Sequence, residues 1–194
     1  MPPGYDINRF NRWAATYDRS ITQKWYFGPV HSKMLDLIEK ERPAASIQSI
    51  IDVGCGTGRL LRAAALRWPQ ARLFGVDPAE RMISEAERLN PNATFKVAPA
   101  ELLPFPDHAA DLVLSSLSFH HWRDQLKGCQ EMSRVLRPGG LLCLADHTML
   151  LVNVFHEKVK SRRQIQALFN DVGLKVVRRQ RMWTRFVLIT LAQK

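Results

Sequence analysis

This 194-residue sequence predicts an α/β fold, a mostly parallel sheet with helices on both faces. Three observations predict it. Short apolar strands alternate with amphipathic helical stretches. Proline and glycine punctuate the junctions. The strand candidates are rich in Val, Ile, Leu or Phe, as strands covered on both faces must be.

The predicted strands, in order, are Ser49 to Val53, Arg72 to Val76, Ala93 to Val97, Asp111 to Ser115 and Leu141 to Ala145. Between them a helix over Arg59 to Trp68 follows a run of glycines. A second, Ala79 to Leu89, places Met82, Ile83, Ala86 and Leu89 on one stripe, and a third, Leu126 to Leu136, ends in a Pro138-Gly139-Gly140 stop. After the fifth strand come an apolar segment, Met149 to Phe155, a helix near Arg163 to Asp171 stopped by Gly173, and two last strands, Lys175 to Met182 and Arg185 to Ala192. Trp183 and Thr184 are too few residues for a crossover helix, so the seventh strand is expected antiparallel to the sixth.

Composition narrows the class. With 46% apolar and 24% charged residues the chain can bury a core, which excludes wholesale disorder, collagen-like repeats and a disulfide-stapled mini-protein. No apolar run approaches the roughly 18 residues of a membrane span. The first residues show no basic region followed by an apolar one, so the expectation is a cytoplasmic protein with no secretory leader. Cys55, Cys129 and Cys143 are expected as free thiols, and no metal site is expected, since none has a Cys or His at ligand spacing and His120 and His121 are adjacent. The net charge of +10 is lopsided: residues 156–194 hold ten Lys or Arg against Glu157 and Asp171, a net +8. Either an anionic partner or a solvated basic edge accounts for it.

The most informative stretch is Ile50-Ile51-Asp52-Val53-Gly54-Cys55-Gly56-Thr57-Gly58-Arg59-Leu60, a strand, a glycine loop and a helix. Glycines at alternate positions let the backbone turn sharply and touch a ligand. Asp77 ends the second strand 19 residues after Gly58, about where doubly wound nucleotide sites place a carboxylate on ribose hydroxyls. Asp52 precedes the loop, where it would repel a pyrophosphate, and the spacing is G-x-G-x-G rather than the dinucleotide G-x-G-x-x-G. A cationic nucleoside fits this pairing, and S-adenosylmethionine is one: an adenosine ribose joined to a sulfonium and an ammonium.

Further stretches carry a family likeness: Phe10-Asn11-Arg12-Trp13-Ala14-Ala15-Thr16-Tyr17-Asp18, Gly75-Val76-Asp77-Pro78, Ala100-Glu101-Leu102-Leu103-Pro104-Phe105, Asp111-Leu112-Val113-Leu114-Ser115 and Arg134-Val135-Leu136-Arg137-Pro138-Gly139-Gly140. With the glycine loop they make the chain resemble the class I S-adenosylmethionine-dependent methyltransferases. Within that class it resembles the small-molecule group that includes the ubiquinone/menaquinone and malonyl-carrier-protein methyltransferases. The resemblance implies a Rossmann-like, doubly wound sheet of seven strands in the order 3-2-1-4-5-7-6. It also implies one domain over 1–194: a helical lid (1–45), a cofactor-binding core (46–146) and a substrate-side segment with the final hairpin (147–194).

By the same resemblance Gly54, Cys55, Gly56 and Gly58 line the methionine part of S-adenosylmethionine, Asp52 its ammonium side and Asp77 the ribose. Pro78 and Met82 face the adenine, and Glu101 with the Ala100 and Leu102 backbone approaches its edge. Ser115 ends the fourth strand beside them, and Tyr17 closes over the cofactor. Plain turn, cap or core roles are the alternative for each. Where the family often has Gly-Asp-Ala-Glu, this chain has Ala98-Pro99-Ala100-Glu101, so a proline replaces the carboxylate that accepts from the adenine amino group, and Glu101 is the candidate to compensate.

Methyl transfer from a sulfonium mainly requires a nucleophile in line and water excluded; a hydroxyl or amine acceptor also needs a base. His120, just after the fourth strand, is the candidate, the alternative being a histidine that packs the next helix. His121 and Trp122 are expected to be structural. Substrate selectivity is expected from the N-terminal helix, His147 to His156 and the turn Arg181-Met182-Trp183-Thr184-Arg185. The leading reading is a methyltransferase acting on a small-molecule acceptor, anionic or carrier-bound. RNA methylation is favoured by the basic C-terminus but disfavoured by the lack of an appended binding module. A non-catalytic cofactor-binding interaction protein and an NAD-dependent reductase rank lower.

Overall fold

The computed structural model describes residues 7–19, 23–148, 159–182 and 186–194. The seven strands, β1 (Ser49–Val53), β2 (Arg72–Asp77), β3 (Thr94–Val97), β4 (Ala110–Ser116), β5 (Leu136–His147), β6 (Lys175–Arg181) and β7 (Val187–Gln193), form one sheet ordered β3-β2-β1-β4-β5-β7-β6. β7 is antiparallel to both neighbours and the remaining pairs are parallel. The expected architecture is the observed one, and the strand bounds move by a residue or two, with one exception.

That exception is β5. Helix α5 (Gln125–Val135) ends before Pro138, and the strand starts at Leu136 rather than Leu141. Leu136 pairs with Ala110, and the register shifts before Leu112 pairs with Leu141. Pro138-Gly139-Gly140 is therefore the irregular first part of β5, not a loop that stops a helix. A Cβ on Gly140 would lie 2.9 Å from the Arg137 carbonyl oxygen, so the close backbone approach there requires glycine.

Helices α2 (Gly28–Glu41), α3 (Arg59–Arg67) and α4 (Glu80–Leu89) cover one face of the sheet, burying Met34, Ile38, Leu61, Ile83 and Ala86 against Ile50, Leu112 and Ile189. Helix α5 and helix α6 (Arg162–Asp171) cover the other, with Met132 and Phe169 against Ile51, Val113 and Leu142. Consecutive strand residues thus feed opposite cores, the reason their sequences read as continuous apolar runs. A capping box between Ser161 and Gln164 starts α6, and Gly173, at φ 74°, ends it as expected.

Helix α1 (Ile7–Tyr17) lies across the carboxyl edge on α4, where Ala14 packs with Ala79 and Met82. Its aromatic stripe is only partly inward: Phe10 and Tyr17 reach this cluster, but Trp13 is 43% exposed under the Arg9 guanidinium. Among the described residues no helix is long and apolar enough to cross a membrane. The expected selectivity segments at 149–156 and 183–185 lie outside the described residues.

Candidate active site

The glycine loop is held by β2. The amides of Gly54 and Cys55 both donate to the Val76 carbonyl, at 2.8 and 3.0 Å. Gly54, Gly56 and Gly58 all have φ between 52° and 74°, a region open to glycine and costly to other residues. At Gly54 the constraint is also spatial, since a Cβ would lie 2.4 Å from Ser118 Oγ. Gly56 instead opens toward Tyr17, whose ring stands 3.9 Å from where its Cβ would be.

Two carboxylates sit at the carboxyl ends of β1 and β2. Asp77 accepts from the Gly56 amide (3.0 Å) and the Ala79 amide (2.9 Å). Burial raises its pKa to about 6 against the pull of those amides. Asp52 is 2% exposed, and its Oδ1 has no hydrogen-bond partner. Burial, reinforced by the negative charge of Asp77, pushes it up to about 8. A desolvated carboxylate with an orphaned oxygen calls for a cation or a donor, so this pair fits an ammonium-bearing ribonucleoside and would repel a diphosphate.

Beside them opens a cleft. Of the residues expected to bind a cofactor, Tyr17, Gly54, Gly56, Asp77, Pro78 and Met82 line it. Asp52 and Gly58 belong to the loop's support, Gly58 as the left-handed residue that starts α3. The Cys55 thiol is turned toward Gly75 in β2 and its pKa is raised by burial. Ser115 is buried, its hydroxyl 2.9 Å from that of Ser118. Ala100 is in the core beneath α5, and Leu102 is 70% exposed. Glu101, the candidate to stand in for the carboxylate missing at Pro99, has one carboxylate oxygen engaged by backbone amides. Its Oε1 accepts from the Arg123 and Asp124 amides and so orders the start of α5.

The strand-four end supplies cleft residues beyond the expected ones: Ser116, Leu117 and Ser118, together with His121 and Trp122, which were expected to be structural. From the N-terminal helix come Ile7 and Phe10. Leu117 holds φ 54°, a strained value for a branched side chain that turns the backbone into the cleft. The available signal was positional, since ligands of open α/β sheets bind outside the strands' carboxyl ends. His121, expected to be structural, lines the cleft, while His120 is 7% exposed behind it, with ring centroids 4.0 Å apart. Nδ1 of His120 lies 2.6 Å from Asp146 Oδ1.

The lid is latched. Asp18, just past α1, accepts from the Thr57 hydroxyl in the glycine loop and pairs with Arg62, and Asn11 accepts from the Arg81 amide of α4 at 3.0 Å.

The strand order, the glycine loop and the paired acids define a class I S-adenosylmethionine-dependent methyltransferase. Comparison with known proteins agrees: the chain belongs to that family, and a model described as a methyltransferase domain matches residues 51–144. The malonyl-[acyl-carrier protein] O-methyltransferase of Hahella chejuensis is 32% identical over 191 residues, covering 91% of this chain and 66% of that protein. The demethylmenaquinone methyltransferase of Chlorobaculum parvum is 32% identical over 139 residues, 69% of this chain and 56% of the other. The chain spans between about half and two thirds of the length of such relatives. Among solved structures, a methyltransferase in complex with the Haloferax volcanii Trm112 activator shares the fold (TM-score 0.80, 21% identity, 95% of this chain and 96% of that one). So does an Aquifex aeolicus S-adenosylmethionine-dependent methyltransferase (TM-score 0.75, 17% identity, 97% and 98%).

Proposed function

We propose that the protein transfers a methyl group from S-adenosylmethionine to a small-molecule acceptor. The observation that carries this reading is the orphaned, buried carboxylate of Asp52 beside Asp77, under a loop of bare backbone that opens on the cleft. When bound, the cofactor supplies an electrophilic methyl group. Asp77 would take the ribose hydroxyls and Asp52 would face the ammonium. Gly54, Cys55, Gly56 and Gly58 would run along the methionine part, and Pro78 and Met82 would flank the adenine. Ala100, Glu101, Leu102 and Ser115 frame the loop and the strand-four end around them. Tyr17 and Phe10 would exclude water from above, and His120 is the base.

The acceptors named in the relatives, malonyl carrier protein and demethylmenaquinone, support a small or carrier-bound acceptor. The test is transfer of labelled methyl into a metabolite extract, with label appearing in a small-molecule fraction. Label confined to RNA would replace this reading. RNA is the second one because Lys175 and Arg181 are exposed on the edge strand β6 and pair with no acid among the described residues. RNA affinity carried by that edge would fall steeply between 50 and 200 mM salt.

A further inference from the structure

The end of β6 and the start of α6 place on one face of the sheet three guanidinium groups that cofactor binding does not use. Arg179 Nη2 donates to Gln166 Oε1 of α6 at 2.6 Å, and the Gln166 side-chain amide donates in turn to Asn170 Oδ1 at 2.8 Å, so this fork is held in place. Arg162 is four residues before Gln166 and therefore lies one turn nearer the helix start on the same face of α6. Arg181 is two residues beyond Arg179 in regular pairing with β7, so its side chain leaves the same face of the sheet.

Among the described residues none of these three arginines pairs with an acid, whereas Arg178, on the opposite face of β6, is paired with Glu41 of α2. Burial first, and then the nearby charge of Arg162, lowers the Arg179 pKa, as expected of cations crowded without a counter-charge. Arg179 Nε is buried with no hydrogen-bond partner. Directly across the ladder the hydroxyl of the fully buried Thr190 is equally unpaired. A fold that needed only a covered sheet face would place neutral side chains or an ion pair here. The amino end of α6, with its capping box at Ser161, adds the positive pole of a ten-residue helix.

The strand registers fix where this group stands relative to the cleft. Ser116, which lines the cleft, stands side by side with Ala145, Ile189 and Gln180 across β4, β5, β7 and β6. Three strand spacings of about 4.8 Å separate Ser116 from Gln180, so Arg181 lies on the order of 15 Å from the cleft, at the same carboxyl edge. No Lys or Arg is among the described residues that line the cleft itself.

Resting on the methyltransferase reading, we infer that Arg162, Arg179 and Arg181 anchor a phosphoryl group that the methyl acceptor carries on the order of 15 Å from the atom that is methylated. A phosphomonoester brings nearly two negative charges and three acceptor oxygens, which match several forked donors better than a single carboxylate does. The acceptor is a small molecule with an uncharged end in the cleft and a phosphorylated far end.

Two measurements test this. In ¹⁵N spectra of the ligand-free protein, inorganic phosphate added to millimolar levels at constant ionic strength shifts the Arg179 Nε–H signal saturably, and Arg162→Gln weakens that binding about 10-fold. No saturable shift, or equal affinity in the variant, would overturn the inference. In the metabolite-extract assay, treating the extract beforehand with alkaline phosphatase removes most of the transferred label. Replacing both Arg162→Gln and Arg179→Gln raises the amount of extract needed for half-maximal labelling about 10-fold and leaves the plateau little changed. Labelling that survives phosphatase, label found only in RNA or in protein, or an unchanged dependence on extract would overturn it. S-adenosylhomocysteine binding to the double variant reports that it is folded. Loss of all transfer in the unaltered protein would count against the methyltransferase reading, while the phosphate titration still decides the anchor.

Discussion

The Thr57 hydroxyl of the glycine loop donates to Asp18, the residue that follows the N-terminal helix, and Arg62 of α3 closes the same carboxylate from below. The N-terminal helix is thus tied to the glycine loop. Both partners of the ion pair are about a quarter to a third exposed, so the pair is worth at most about 1 kcal/mol.

Asp18→Asn should accordingly change global stability little. It should raise the Kd for S-adenosylhomocysteine several-fold and speed amide hydrogen exchange in 7–17 selectively. Exchange mass spectrometry checks this, and uniform acceleration over the sheet would refute the latch.

Gly54→Ala combines positive φ with a Cβ 2.4 Å from Ser118 Oγ and 2.5 Å from Ser118 Cβ. The backbone cost alone is about 1 kcal/mol, and at about 2–4 °C per kcal/mol for a chain of this size a melting drop of several degrees is expected. Ser118→Gly in the same chain should restore part of it. A double variant that melts no higher than Gly54→Ala would locate the strain elsewhere.

Asp52 and Asp77 give the ligand-free protein a pH signature. Their folded pKa values, about 8 and about 6, lie above the unfolded value near 3.8. The stability tied to burying them neutral is fully present below that value and is lost as pH rises through about 6 and about 8. Asp107, Asp111 and Glu131, held low chiefly by Arg134, Ser49 and Arg134 respectively, act in the opposite sense and at lower pH. Melting temperature should therefore fall between pH 5 and 8, and Asp52→Asn should flatten the upper part of that fall. A cationic ligand reverses the preference, so its affinity should rise up to about tenfold per pH unit below 8. Affinity independent of pH would show that Asp52 does not face the ligand's charge.

The fold was legible in the sequence because its strands are covered on both faces: Ser49–Val53 is bounded as its apolar run reads, and the short connection between Arg181 and Val187, too short for a crossover helix, goes with the antiparallel direction of β7. Pro138-Gly139-Gly140 misled because turn residues can also sit in a strand's irregular start, where only the partner Ala110 reveals the pairing. At the site, Gly54, Gly56 and Asp77 were readable from backbone need and charge. His121 was not, since which of two adjacent histidines meets the cleft depends on Asp146, 26 residues beyond His120, drawing His120 inward. The contacts of Glu101 were hidden for the same reason: its amide partners on Arg123 and Asp124 are distant in sequence.

Isothermal titration of the protein with S-adenosylhomocysteine and, separately, with NADH addresses the electrostatic selection most directly. The account predicts saturable heat with the nucleoside thioether, abolished or weakened at least tenfold in Asp77→Ala, and none with NADH. Heat with NADH and none with S-adenosylhomocysteine would contradict it.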